Sequence, residues 1–181
     1  MQPLPVSSAA ELRPLELADA PALLAAITAH REELDPWLRW SRAIQTPADA
    51  AAFIAQFTAK LTRGEGFHLG LRADQRLLGG VICWSINRDH RNAEVGYWLI
   101  PDARGQGLAT AATRAVVQHL FQVERLHRVE LQCAVTNDPS RRLAERLGFQ
   151  FEGVRRESHW LSTRFVDHAV YGALATDWDT T

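Results

Sequence analysis

AEVGYWLIPDARGQGLAT, residues 93–110, decides the fold. Its first eight residues are apolar enough for a buried strand, and Pro101 then breaks the run. Beyond the glycines at 105 and 107 a helical spacing begins, with Leu108, Ala111, Ala112, Ala115, Val116, Leu120 and Val123 on one face. The segment therefore reads strand, glycine loop, helix. Glycines remove side chains where a backbone must come close to a ligand, and the first N–H groups of a helix have no internal partner. With the positive end of the helix dipole beside them, these donors form an anion site. No acid occurs between Asp102 and Glu124 to compete with that anion.

Upstream, FHLGLRA (67–73), a polar turn and LLGGVICWSIN (77–87) predict an antiparallel hairpin, with residues 93–100 as the third strand of a meander. Earlier still, Leu12 to Leu17 reads as a strand and Asp19 as the cap of a helix running to His30. Leu34, Trp37, Leu38 and Trp40 fall on a second helical piece, and Thr46, Pro47 and Asp49 open a third helix reaching about Arg63. Downstream, RVELQCAV (128–135) is a strand, and a short helix carrying Leu143, Ala144 and Leu147 stops at Gly148. FQFEGVRRES (149–158) and RFVDHAVYGAL (164–174) read as a closing hairpin. The sum is a mixed α/β sheet of about seven strands with about four helices. It forms one domain over 1–181, with residues 1–10 and the last few as frayed tails.

Composition narrows the function classes. The 181 residues are 46% apolar, and 20 basic against 21 acidic residues leave a net charge of −1. No global field gathers nucleic acid or an anionic membrane, so neither is an expected partner. Lys60 is the only lysine and has no phosphate-loop context, which removes a P-loop nucleotide site. Cys83 and Cys133 lie in apolar runs without metal-ligand spacing, so both are expected in the core and no metal is expected. No leader and no transmembrane run is legible, which makes a cytoplasmic location the expectation.

Arg104-Gly-Gln-Gly107-Leu-Ala109 resembles the R/Q-x-x-G-x-G/A motif with which Gcn5-related N-acetyltransferases hold the pyrophosphate of acetyl-CoA. HRVELQCAVTNDPSRRLAERLGFQFEGVRRE (127–157) and the early LDPWLRW (34–40) resemble the Rim-type branch, the ribosomal-protein N-terminal acetyltransferases. The resemblance spans about residues 11 to 175. It implies a mostly antiparallel sheet whose splayed central strands hold acetyl-CoA, with no metal. The backbone of Trp98, Leu99 and Ile100 should pair with the pantetheine arm. Arg104, Gly105, Gln106, Gly107, Leu108 and Ala109, with Thr110, should wrap the pyrophosphate. Asn137 to Ser140 should reach the cofactor from the other side.

The implied reaction is aminolysis of a thioester by a neutral amine. Glu94 stands where several relatives place a catalytic glutamate. Its other reading is an outward-facing strand residue. Ser140 is the candidate to protonate the departing sulfur, or more modestly to hydrogen-bond to it, in the segment where many relatives use a tyrosine and this chain has none. His159 is a second candidate base, where some Rim-type enzymes use a carboxylate. Trp37, Trp40 and Trp160 are candidates to line an acceptor groove, against the ordinary reading of core aromatics, and Glu32, Glu33 and Asp35 to attract a cationic amine. The acceptor stays open among a protein N-terminus, an antibiotic and a polyamine, as does a homodimer. Two other classes remain. Gly105-x-Gly107-x-x-Thr110 echoes a dinucleotide fingerprint, although it begins after a meander and ends in threonine, and a binding-only acyl-CoA sensor would keep the loop without a usable base.

Overall fold

The computed structural model describes residues 1–161 and 163–178. Its strands are β1 (Leu4–Pro5), β2 (Ala10–Pro14), β3 (Phe67–Ala73), β4 (Arg76–Asn87), β5 (Asn92–Leu99), β6 (Arg128–Ala134), β7 (Gln150–Leu161) and β8 (Arg164–Leu174). The helices are α1 (Ala20–Ala29), α2 (Arg31–Leu34), α3 (Pro47–Arg63), α4 (Leu108–Gln122) and α5 (Asp138–Arg146). One open sheet takes all eight strands in the order β1-β2-β3-β4-β5-β6-β8-β7. Neighbours run antiparallel except β5 and β6, which α4 joins as a crossover. The mixed, mostly antiparallel architecture is the expected one.

Three details differ from the sequence reading. Residues 1–10 are not wholly a tail, because Leu4 and Pro5 pair with Leu12 and Glu11 and supply the eighth strand. At the other end Trp178 is buried against Phe121 and Phe149, while residues 179–181, where fraying was expected, lie outside the described residues. Asp19 precedes α1 without capping it. Its carboxylate is taken by the Arg13 guanidinium at 3.0 Å, by Arg72 and by the Glu16 N–H, an ion cluster buried under the first strands.

Strand alternation divides the layers. His68 and Trp98 face α3, whose Phe53 and Phe57 pack on the His68 ring. Phe67, one residue away from His68, faces α4 and meets His119. The α4 helix lays Ala112, Val116, Val117, Leu120 and Phe121 on that side, whereas Val123, read as part of its apolar stripe, is past the helix end and 65% exposed.

One irregularity positions the site. β5 and β6 pair from Asn92 with Arg128 as far as Val95 with Leu131, and then part. Past that point Gly96–Leu99 keeps only β4 as a neighbour, and Gln132–Ala134 keeps only β8.

Candidate active site

A cavity of about 980 Å³ opens at this splay and passes through the sheet from one helical layer to the other. On the α4 side, the N–H of Ile100 donates to the Leu78 carbonyl at 2.9 Å. Backbone groups alternate along an antiparallel strand, so those of Trp98 also face β4, and those of Tyr97 and Leu99 face the gap. The expectation that Trp98, Leu99 and Ile100 all offer backbone is thus corrected: only Leu99 does, and Tyr97 joins it. Trp98 instead places a buried indole against Trp40, with its Nε1–H on His68 Nε2 at 3.2 Å.

The glycine loop forms the next wall. Gly105 and Gly107 have φ of 76° and 74°, a left-handed backbone that favours glycine, and a Cβ at either would meet nothing within 4 Å. The first bond of α4 runs from the Ala111 N–H to the Gly107 carbonyl at 3.0 Å. The N–H groups of Leu108, Ala109 and Thr110 precede that ladder and have no helical acceptor. Arg104 lines the same wall. Gln106 does not: its side chain turns back to the Asp102 carbonyl at 3.1 Å.

α5 closes the cavity from the β6 side with Asn137, Pro139, Ser140 and Arg146. Asn137 Oδ1 accepts from the Ser140 N–H at 3.2 Å, capping the helix and fixing its first turn. Across the gap, Tyr97 Oη lies 3.0 Å from Ser140 Oγ. Tyr97 lies outside every motif that points to the site. Its signal was the period of two that sets it on the same side as Leu99.

On the α3 side lie Trp37, Trp40, Trp84, Glu94, His159 and His168. Glu94 alternates with Trp98 onto this face and is half-buried in the cavity wall, not outward-facing. Burial raises its pKa, the paired Glu130 carboxylate adds to the rise, and Arg155 opposes it. His159 is pushed the other way, first by burial and then by Arg155 and Arg39. Trp40 stacks on Phe53 with centroids 4.8 Å apart, so it is both core and wall, while Trp37 is 43% exposed at the mouth. Trp160 does not line the cavity. Its neighbours His159 and Leu161 point inward, and alternation turns Trp160 out against Phe165. Of the three acids near α2 only Glu33 lines the cavity; Asp35 accepts from Ser41 Oγ at 2.6 Å. Cys133 lies in the wall as a thiol, its pKa pushed up to about 11 chiefly by burial. Among the described residues no group of three or more His, Cys, Asp or Glu is placed to hold a metal ion.

A splayed strand edge, leading from helix N–H groups without a helical acceptor to a half-buried carboxylate, has the form of an acyltransferase site. Residues 10–150 match the family model described as the acetyltransferase (GNAT) domain. The chain belongs to that family and is an acetyl-CoA-dependent N-acetyltransferase, which answers both the dinucleotide-fingerprint and the sensor readings. It is 30% identical to YdaF of Bacillus subtilis (strain 168), named for ribosomal N-acetyltransferase activity, over 93% of this chain and 92% of that one. It is 26% identical to the ribosomal-protein-serine acetyltransferase of Escherichia coli (strain K12), covering 93% and 94%. The solved structure of RimL, a ribosomal L7/L12 alpha-N-protein acetyltransferase in complex with coenzyme A, superposes with a TM-score of 0.92 at 22% identity, covering 96% and 98%. That likeness establishes the fold.

Proposed function

We propose that the acceptor is the N-terminal α-amine of a protein, a ribosomal protein foremost, acetylated in the cytoplasm. The observation that carries this reading is the second mouth. Glu33, Trp37 and Arg39 line the cavity and are exposed, so an acceptor can trail into solvent behind its amine as a peptide must. Two relatives whose names refer to ribosomal acetylation align over nearly the whole chain and support the same choice. Among the described residues no helix is long and apolar enough to cross a membrane.

In this reading acetyl-CoA enters on the α4 side. Its pyrophosphate sits on the free N–H groups of Leu108, Ala109 and Thr110, with Gly105 and Gly107 allowing close approach and Arg104 adding charge. Its pantetheine amides extend the open edge of β5 at Tyr97 and Leu99. The thioester then lies in the splay, where the Leu99 N–H faces the oxygen that gains charge.

The amine arrives from the α3 side. An α-amine with pKa of about 8 is largely protonated at neutral pH and must lose a proton to attack. Glu94, with its raised pKa, is the base, reached directly or through a water. Attack at the carbonyl carbon makes the C–N bond; the C–S bond breaks with its electron pair on sulfur. The amine's surplus proton leaves through Glu94, and the sulfur ends as a thiol. Holding both substrates in the splay supplies much of the acceleration, up to about 7 to 11 kcal/mol in good intramolecular analogues.

The test is a mass-spectrometric screen with acetyl-CoA and three acceptor sets: peptides with free N-termini, the same peptides blocked there, and polyamines with aminoglycosides. A gain of one acetyl group on the free peptides alone is expected. Transfer confined to the small amines overturns the choice of acceptor.

A further inference from the structure

We propose that Tyr97 is a positioning residue of the transfer: its phenol donates to Ser140 Oγ across the splay and so turns the serine's own proton into the cavity, toward the sulfur of departing coenzyme A. The inference rests on the placement of the thioester in the splay given above.

The two hydroxyls belong to opposite lips of the cavity. Tyr97 lies on β5, past the last parallel pair, and Ser140 lies in the first turn of α5. Their oxygens are 3.0 Å apart, and among the described residues this is the one hydrogen bond of the Ser140 hydroxyl, whose backbone N–H is spent on Asn137. A phenol is a far better acid than an aliphatic alcohol, so the proton between them belongs to Tyr97 and Ser140 accepts. A serine hydroxyl has one proton. Once Oγ is an acceptor for the phenol, that proton is free to point elsewhere, and both side chains line the cavity. Burial, the largest influence, raises the Tyr97 pKa above its usual value, which keeps the phenol a donor at any pH where the enzyme would be assayed.

Serine alone is a poor acid, and full transfer of its proton to a thiolate is unfavourable. A hydrogen bond is what the step needs. As the C–S bond breaks and the electron pair settles on sulfur, the Ser140 O–H meets the growing charge, and the phenol behind it strengthens that donor by polarising it. No proton is consumed in the pair. The sulfur gains its proton from solvent, which received one from the amine through Glu94, so charge and protons balance.

The experiment measures two quantities in the wild type, Tyr97→Phe, Ser140→Ala and the double variant. One is the titration of the thiol of bound coenzyme A, followed by the ultraviolet absorption of the thiolate. The other is kcat against KM for acetyl-CoA. The bound thiol should titrate below free coenzyme A in the wild type and move back toward the free value in all three variants. Each single variant should lose on the order of tenfold in kcat with KM little changed. The double variant should lose no more than Ser140→Ala alone, because the phenol acts only through the serine. A thermal melt checks that the fold is kept, and a bound thiol that titrates as low in a folded Tyr97→Phe protein as in the wild type overturns the inference. So does a double variant whose losses multiply. If coenzyme A fails to bind the wild type at all, it is the placement of the cofactor that falls.

Discussion

The imidazoles of His159 and His168 lie face to face, with ring centroids 3.6 Å apart and planes 2° from parallel. Neither nitrogen of His168 has a hydrogen-bond partner among the described residues. Two stacked rings flanked by Arg155 cannot both carry charge, and burial penalises even one. His168 is accordingly held down to about 4, and His159 below its ordinary value. Near neutrality the pair is an uncharged wall, and His159, held below its ordinary value, is a weaker proton acceptor than a free imidazole.

A stability prediction follows with a definite sign. His168, at about 4, and His68, at about 3, have folded pKa values depressed from 6.5. Above 6.5 both states are neutral there and the full stability is present. As pH falls from 6.5 toward 4 the unfolded chain takes up protons that the folded chain refuses, so stability drops. Denaturant melts across that range should show the decline, and His168→Phe, which keeps a stacked ring, should make it shallower. An unchanged slope would show that His168 titrates normally.

Glu94 ties the chemistry to a cost in stability. Its folded pKa is raised above 4.5 by burial and by Glu130, so the ionised carboxylate at pH 7 destabilises the fold. Glu94→Gln should therefore melt slightly higher than wild type at pH 7, with the difference vanishing below pH 4.5 where both side chains are neutral. The same variant should lose about tenfold to a hundredfold in kcat at neutral pH with acetyl-CoA affinity kept, and recover partly in alkali where the amine loses its own proton. Full activity at neutral pH would remove Glu94 from the mechanism.

How much of this was legible in the sequence follows from the range of each signal. Strand, loop and helix at 93–122 were legible because the apolar period, Pro101 and the two glycines are local. Alternation was legible too, and applied strictly it separates Leu99 from Trp98 and Ile100 and turns Trp160 outward. The pairings that close the site were not. Tyr97 with Ser140, and His159 with His168, join residues from different strands and helices. The first distance depends on where β5 parts from β6, which tertiary packing sets, and the second on the register shift between Arg155 and His159 where β7 pairs with β8. Asp19 misled for a similar reason. A carboxylate before a helix is usually a cap, but two arginines brought in from β2 and β3 outbid the helix N–H groups.

That cluster gives a prediction remote from the cavity. Asp19 and Arg72 side chains are 9% and 10% exposed, and Arg13 is 27% exposed. Replacing the shared carboxylate by an amide leaves two guanidinium groups facing each other with no negative charge between them. Asp19→Asn should destabilise by about 3 to 5 kcal/mol, measured by equilibrium unfolding. Because none of the three lines the cavity, kcat at a temperature where the variant stays folded should equal that of the wild type. A loss below about 1 kcal/mol would mean that the arginines find solvent.

The loop prediction separates ligand effects from backbone effects. Gly107 caps α4 with φ of 74°, and Gly148, outside the cavity lining, has φ of 87°; a Cβ at either meets nothing within 4 Å. Alanine at each should carry the same left-handed backbone cost, about 1 to 2 kcal/mol. If the open space over Gly107 belongs to the pyrophosphate, Gly107→Ala should weaken acetyl-CoA binding while Gly148→Ala leaves it alone, despite equal losses of stability. Gly107→Glu sharpens the contrast. A carboxylate at a helix N-terminus is stabilising by about 0.3 to 1 kcal/mol, offsetting part of the backbone cost, so this variant should melt no lower than Gly107→Ala. It places a negative charge and bulk where the phosphates need donors, and binding should fall by at least about a hundredfold, some 3 kcal/mol. Arg104→Ala should cost less than tenfold, since an exposed cation adds little beside three backbone donors. Calorimetric titration with acetyl-CoA decides it: equal affinity in Gly107→Glu and wild type would place the phosphates elsewhere.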